Sequence, residues 1–137
     1  MTTERELLAS IQAALAREPD VWAMRNTVGA GESHGRYQTY GLGKGSPDIV
    51  AVLAPWGHWI CLEVKTKTGR VRKDQQRWMT LARRVGMTVA VVRSGEEALS
   101  LVQQARELCA SPRYTESMQM GPAPADAAIA ARRGNTR

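Results

Sequence analysis

The chain has 137 residues, 43% of them hydrophobic, and a formal net charge of +6 at pH 7. That length suits one domain rather than two, and the hydrophobic share is enough for a packed core. No apolar run approaches the roughly 20 residues of a membrane helix, and the charged start MTTERELL is unlike a secretory signal, so we expect a cytoplasmic protein. Two distant cysteines without a neighbouring Cys or His cluster argue against a metal site with sulfur ligands.

Hydrophobic periodicity predicts the elements of the first third of the chain. A helical repeat predicts an amphipathic helix over residues 3–17, which Pro19 and Asp20 end. The apolar stretch Val21 to Val28 predicts a strand. Residues 29–47 contain six glycines, so we expect a loop with little regular structure.

A hairpin is predicted next, followed by a helix. Asp48 to Leu53 and Trp59 to Lys65 are strand-like and flank the turn residues Pro55 to Gly57. Alternation places Glu63 and Lys65 on one face of the second strand. A helix is then expected from about Asp74 to Val85, with a buried stripe of Trp78, Leu81, Ala82 and Val85.

The remaining pattern completes an α/β domain. The apolar run Met87 to Arg93 predicts a central strand. Ser94 and Glu97 form a capping box at the start of a last helix. We therefore expect a mixed β-sheet flanked by helices over residues 1–110. Residues 111–137 lack sustained periodicity and are expected to form a largely disordered tail. The inward residues of the last helix are predicted to be Ala98, Leu101, Val102 and Ala105.

Cations concentrate between Lys65 and Arg84, where Asp74 is the one acidic residue. Many soluble proteins are mildly basic, so net charge alone does not point to nucleic acid. A clustered basic stripe, however, is typical of a surface that binds a polyanion. The residues expected to contact DNA phosphates are Lys44, Lys67, Arg70, Arg72, Lys73 and Arg77.

The residues that suggest chemistry stand at the two ends of the hairpin, Asp48 at one end and Glu63-Val64-Lys65 at the other. Hydrolysis of a phosphodiester needs a hard cation, and Mg²⁺ is commonly held by one or two carboxylates. Asp48 and Glu63 can supply them if their strands pair, with the Val64 carbonyl as a third ligand. Lys65 can position water or stabilise developing charge. An E-x-K tripeptide is weak alone, and alternating Glu and Lys is also typical of a solvated strand.

Several other features favour ordinary structural explanations. His34 and His58 are isolated and are expected in exposed loops. The segment Gly41 to Gly45 does not have the spacing of a phosphate-binding P-loop, and we expect its glycines to let a DNA backbone approach closely. Trp56 could stack on a base, but turn packing or a dimer contact explains it equally well.

Five spaced segments together resemble the VRR-NUC family of the PD-(D/E)XK nuclease superfamily, over about residues 4–108. They read RNTVG, GKGSPDIVAV, WICLEVK, GRVRKDQQRW and VAVVRS. The resemblance implies a restriction-endonuclease-like core. It matches Asp48 to the family aspartate, Glu63, Val64 and Lys65 to its E-x-K, and Gln75 to a helix glutamine.

The resemblance also implies a glutamate on the first helix that joins the metal site. Glu6 has suitable spacing and Glu4 is a second candidate. Thr3 and Glu6, however, also form a capping box, which would use the Glu6 carboxylate at the helix start.

The resemblance implies an endonuclease that uses Mg²⁺, and we expect Mn²⁺ to support activity too. Single-domain members resemble Holliday-junction resolvases known from bacteria and phages, so branched DNA is the expected substrate. Two cuts at a four-way junction favour a homodimer, which we expect to form through the first helix and residues 29–45. A nicking or flap-processing nuclease, or a non-catalytic DNA-binding protein of the same fold, is the alternative.

Overall fold

The computed structural model describes residues 1–119, in which one compact unit covers Met1–Arg106 and a second begins at Glu107. None of the helices in the described residues is long and apolar enough to cross a membrane. The helices are α1 (Glu4–Ala16), α2 (Lys73–Arg84), α3 (Gly95–Ala110) and α4 (Pro112–Gln119). The strands are β1 (Val21–Arg25), β2 (Gly29–Ser33), β3 (Arg36–Tyr40), β4 (Ile49–Leu53), β5 (His58–Val64) and β6 (Thr88–Val92).

The central sheet has four strands in the order β1-β4-β5-β6. The first three are antiparallel, whereas β5 and β6 are parallel. A parallel pair requires a crossover, and α2 supplies it between β5 and β6. This mixed sheet with flanking helices confirms the predicted α/β class. The inward residues predicted for α3 are buried as expected, namely Ala98, Leu101, Val102 and Ala105.

One face of this sheet, which we call the α2 face, positions the candidate site. The register places Met24, Val50 and Cys61 side by side on β1, β4 and β5. Met79 and Ala82 of α2 pack with Val50 and Cys61 of this row and with Val89 of β6. Because side chains alternate along a strand, Asp48 and Glu63 project from the same face. The helix and the carboxylates therefore share one side of the sheet.

The glycine-rich segment is more regular than predicted. β2 and β3 pair in an antiparallel two-stranded sheet where we expected a loop. Their turn consists of His34 and Gly35, with φ of 53° and 72°, as two-residue hairpin turns require. Nearly every residue of both strands is exposed, so the apolar alternation that reveals a strand in sequence is missing.

The buried face of helix α2 is offset from the predicted buried face by about one residue along the helix. Its buried residues are Gln75, Met79 and Ala82. Leu81 and Val85, predicted to be buried, are 52% and 71% exposed. The apolar pattern misled the prediction because a polar residue, Gln75, takes an inward position.

The prediction that His58 lies in an exposed loop is wrong. His58 begins β5 and is only 5% exposed. Its Nε2 lies 2.7 Å from Oγ1 of Thr88 on β6, and burial lowers its pKa. His34 is exposed, as expected.

Regular structure also extends beyond the predicted end of the domain. We expected a largely disordered tail from residue 111, yet Pro112 to Gln119 form α4. The Ser111 hydroxyl accepts a hydrogen bond from the Tyr114 N–H, and Pro112 stands at the first helical position, where its missing N–H has no cost. Residues 120–137 lie outside the described residues, so the disorder expected there stays a prediction.

Two of the glycines before Asp48, Gly41 and Gly45, make close contacts within the protein, while the approach of DNA to this segment stays a prediction. A Cβ on Gly41 would lie 2.5 Å from the Thr27 carbonyl oxygen. A Cβ on Gly45 would lie 2.4 Å from the carbonyl oxygen of Asp74 in α2. These positions therefore bring the loop against the neighbouring backbone.

Gly45→Ala is expected to destabilise the protein more than Gly43→Ala. Both residues have positive φ, 84° and 100°, which costs an alanine about 1–2 kcal/mol. Nothing lies within 4 Å of a Cβ on Gly43. Gly45→Ala should lose a further 1–3 kcal/mol, roughly, through overpacking. Urea unfolding of both variants measures the difference, and equal losses would contradict the close packing.

Candidate active site

Asp48 and the E-x-K segment meet where β4 begins and β5 ends. Oδ2 of Asp48 accepts a hydrogen bond of 2.7 Å from the backbone N–H of Val64. The N–H and C=O of a strand residue point to the same side, so the Val64 carbonyl also faces Asp48. The structure thus brings together the three groups predicted to hold a metal.

Glu63 is a carboxylate placed in the protein interior, with 1% exposure. Its Oε1 accepts a hydrogen bond from Nε2 of Gln75 and lies 3.0 Å from Nζ of Lys65. Lys65 itself is 7% exposed. The predicted catalytic residues Glu63, Lys65 and Gln75 are therefore in direct contact.

Gln75 holds the start of α2 to the carboxylate. While its Nε2 bonds to Glu63, its Oε1 accepts a hydrogen bond of 2.9 Å from the Arg72 N–H. Both ends of the amide are used, which explains how a glutamine can be buried. The orientation of α2 is consequently tied to the position of Glu63.

The electrostatic environment disfavours a charge on Glu63. Burial and the nearby charge of Asp48 raise the pKa of Glu63 to about 7, although Lys65 acts in the opposite direction. A carboxyl poised near neutrality beside a second carboxylate is typical of a functional site. A cation between the two would relieve their repulsion.

Asn26 fixes the segment that delivers Asp48. Its Nδ2 donates to the Ser46 hydroxyl and the Pro47 carbonyl, at 2.8 and 2.7 Å. Its Oδ1 accepts from the Leu42 N–H, and its backbone N–H donates to the Asp48 carbonyl. The RNTVG segment noted in the sequence therefore supplies a positioning residue, Asn26.

Arg93, in the segment VAVVRS, performs a similar task for the basic loop after Lys65. Its guanidinium donates to the carbonyls of Thr66 and Gly69, with two contacts of 3.1 Å to Gly69. The Lys65 N–H also donates to the Val92 carbonyl. Arg93 was identified from the sequence only as part of a resemblance, because a hydrogen bond to a backbone carbonyl cannot be inferred from the residue types.

A cavity of about 370 Å³ opens in front of Asp48. Polar residues from five segments line it, among them Asp48, Lys65 and Gln75. The others are Glu4, Asn26, Val28, Lys44, Gly45, Ser46, Arg72 and Asp74. A cavity with this lining suits a polar ligand.

Of the two candidate helix carboxylates, the structure brings Glu4 to this cavity. Glu6 is instead occupied at the helix start, where its Oε2 accepts from the N–H and hydroxyl of Thr3 at 2.8 and 2.9 Å. These bonds lower the pKa of Glu6. The capping box therefore accounts for Glu6, and its role in the site stays a prediction.

The predicted phosphate contacts are all solvent-exposed cations. Lys44 and Arg72 line the same cavity as Asp48. Arg72 also forms an exposed ion pair of 3.3 Å with Asp74. The remaining members, on the loop and the first turns of α2, are Lys67, Arg70, Lys73 and Arg77.

The donor set fits a hard divalent cation. Asp48 and Glu63 are carboxylates, the Val64 carbonyl is a neutral oxygen, and Mg²⁺ or Mn²⁺ prefers such ligands while keeping several waters. Within the described residues, no cluster of three Asp, Glu, His or Cys side chains surrounds a common point.

The raised pKa of Glu63 predicts a pH-dependent effect of Glu63→Gln in metal-free protein. The stability that this carboxyl contributes is complete below pH 4.5 and is lost as pH rises through about 7. The free energy of unfolding of the variant should therefore rise relative to that of the original chain as the pH increases from 5 to 8, by at most about 3 kcal/mol. Unfolding in EDTA measures the gain, with exposed Glu96→Gln as the control. A difference independent of pH would contradict the prediction.

Comparisons with known proteins show what the chain is similar to. Residues 30–96 match the family model of the VRR-NUC domain. A solved structure described as a VRR_NUC domain is 22% identical, covers 73% of this chain and 90% of its own, and has a TM-score of 0.44. The comparison with curated proteins found no match. Residues 30–96 are therefore similar to the VRR-NUC domain, a nuclease-related domain, and Asp48, Glu63, Lys65 and Gln75 lie within the matched residues.

Proposed function

We propose that this protein is a metal-dependent endonuclease that hydrolyses phosphodiester bonds in DNA. The observation that carries the proposal is a pair of carboxylates from adjacent strands, with Asp48 at an open polar cavity and the buried Glu63 in contact with Lys65, which also lines the cavity. The bound cation, Mg²⁺ or Mn²⁺, would neutralise the phosphate and make water a better nucleophile. Asp48, Glu63 and the Val64 carbonyl are the groups that would hold it.

The chain's own residues supply the other requirements of hydrolysis. Lys65 can orient the attacking water or stabilise the charge that develops on the phosphate. Gln75 and Lys65 hold the Glu63 carboxylate in one orientation, and the Val64 N–H does the same for Asp48. Such preorganisation matters because a displaced catalytic group slows a reaction strongly.

DNA binding is assigned to the exposed cations around this cavity. Lys67, Arg70 and Arg72 lie on the loop whose carbonyls Arg93 holds. Phosphate contacts from such residues give affinity without reading base sequence. Their position favours a nuclease that recognises the path of the DNA backbone.

A non-catalytic protein of the same fold is the alternative from another class. That alternative does not explain a buried carboxylate with a neighbouring carboxylate and a buried lysine. Burying charged groups generally weakens stability compared with well-packed apolar residues. The cost favours a catalytic role for Asp48, Glu63 and Lys65.

Branched DNA is the substrate class that we favour, with a homodimer as the active form. Two paired cuts at a four-way junction need two active centres. The β2–β3 hairpin, part of the interface expected from the sequence, exposes 77% of Tyr37 and 55% of Tyr40. Exposed aromatic residues of this kind are typical of interfaces. Flap trimming or nicking by a monomer is the second candidate.

Conservative changes at the site should abolish cleavage while preserving the fold. Asp48→Asn, Glu63→Gln and Lys65→Met should each reduce nicking of supercoiled plasmid by at least about 100-fold, since each removes a charge needed for metal binding or charge stabilisation. Isosteric replacements are required because Glu63 and Lys65 are buried. Assays with Mg²⁺, Mn²⁺ and EDTA, together with thermal melts, separate activity from folding.

The same assay tests the helix carboxylates and the assignment itself. Glu4→Gln and Glu6→Gln form a matched pair, and the cavity lining favours a larger loss for Glu4→Gln. Cleavage by folded Asp48→Asn at the original rate would reject the proposed active site. Full activity in EDTA would reject metal dependence.

The substrate and assembly are tested together. We expect light scattering to give about twice the 15.0 kDa chain mass and cleavage of a four-way junction faster than of linear duplex. Flapped and nicked DNA complete the panel. A monomer with equal rates on junction and duplex would reject the resolvase and favour the nicking or flap nuclease.

A further inference from the structure

A second cavity, of about 260 Å³, lies beside the catalytic one and has a different character. Its lining is mainly apolar and comes from Met24, Leu42, Val50 and Trp59. Arg25 and Asn26 contribute the polar side chains. We call it the Trp59 cavity. Its volume is slightly below the roughly 300–1,000 Å³ of pockets for drug-sized ligands, so it suits a single ring system.

The two cavities adjoin each other. Asn26 lines both, and they border the same loop, the Trp59 cavity through Leu42 and the catalytic cavity through Lys44. Asn26 holds that loop through its bonds to Leu42, Ser46 and Pro47. The two cavities therefore border one another at Asn26.

The sheet register places the Trp59 cavity on the same face as the catalytic carboxylates. Val50 follows Asp48 by two residues on β4, a separation of about 7 Å. Trp59 precedes Glu63 by four residues on β5, about 13 Å. Successive nucleotides of a stacked strand are about 3.4 Å apart along the helix. The cavity is thus a few nucleotides from the position of a phosphate at Asp48.

The chemistry of the lining fits a nucleobase. A flat indole, a thioether and two aliphatic side chains offer the apolar surface on which single-stranded bases stack. Trp59 remains 40% exposed, so its ring is accessible. Arg25 is exposed at the same cavity and can pair with a phosphate of the same nucleotide. The Asn26 amide is used within the protein, so it does not read a base edge.

We propose that the Trp59 cavity receives an unstacked nucleobase of the DNA strand that is being cut, a few nucleotides from the scissile phosphate. The proposal rests on the proposed nuclease function. A paired base must leave its stack before it can enter such a pocket, whereas bases at junctions, flaps and gaps are already less constrained. The cavity thereby selects DNA structure rather than sequence.

The test compares two tryptophans on the same sheet face. Trp59→Ala should weaken binding of branched DNA by about ten-fold. Trp22→Ala, whose side chain is 68% exposed and outside the cavity, should change affinity less than two-fold. Trp59→Phe, which keeps an aromatic ring, should restore most of the affinity. Fluorescence anisotropy on the Asp48→Asn background, with thermal melts, gives these values without cleavage.

An abasic scan identifies the base itself. At one position a few nucleotides from the cut, removal of the base should weaken binding by the original chain about ten-fold. Trp59→Ala should then add no further loss on that DNA. Equal losses from Trp59→Ala on intact DNA and on every abasic DNA would overturn the proposal.

Light scattering distinguishes the other possible occupant of this face, a second copy of the chain. If Trp59→Ala converts a dimer to a monomer and leaves DNA affinity unchanged, the cavity belongs to an interface and the proposal is overturned. If the abasic scan succeeds but the original chain cuts no DNA with Mg²⁺ or Mn²⁺, the base pocket stands and the proposed nuclease function fails.

Discussion

A buried carboxylate next to a second carboxylate is the constraint around which this domain is built. Glu63 has almost no contact with solvent, and Asp48 makes its ionisation still less favourable. Two partners compensate for this, the Lys65 ammonium and the Gln75 amide. Because Gln75 belongs to α2, the helix must turn a polar residue inward and leave Leu81 and Val85 in solvent. The contact between Gln75 and Glu63 therefore determines which face of α2 packs on the sheet.

Two further side chains keep the surrounding loops in place without reaching the carboxylates. Asn26 connects the end of β1 to the segment that carries Asp48, and Arg93 connects the end of β6 to the loop after Lys65. Each ties a strand end to backbone carbonyls of a loop. Glu63 thus lies on β5 and Asp48 directly before β4, while the loops beside them are held by single polar residues from the outer strands of the sheet.

The fold class and the main site were predictable because they depend on patterns local to the chain. Strand alternation and the E-x-K spacing sufficed to place Asp48, Glu63 and Lys65 together. The β2–β3 hairpin escaped prediction since it buries almost nothing. The orientation of α2 also escaped, because burial of Gln75 depends on a residue in another element. His58 was misplaced for a similar reason, since its partner Thr88 is on β6. Helix α4 had readable signals, a serine cap and a first-turn proline, but its short length hid the periodicity.

The amide of Gln75 restricts which amino acid this position can hold. It must donate at one end, to a carboxylate, and accept at the other, from a backbone N–H of its own helix turn. A glutamate there would place a third negative charge beside Glu63 and Asp48, and a lysine or arginine could not accept. Asparagine has both functions but is one methylene shorter. The Gln75 amide thus combines a donor and an acceptor with the length that the two contacts require.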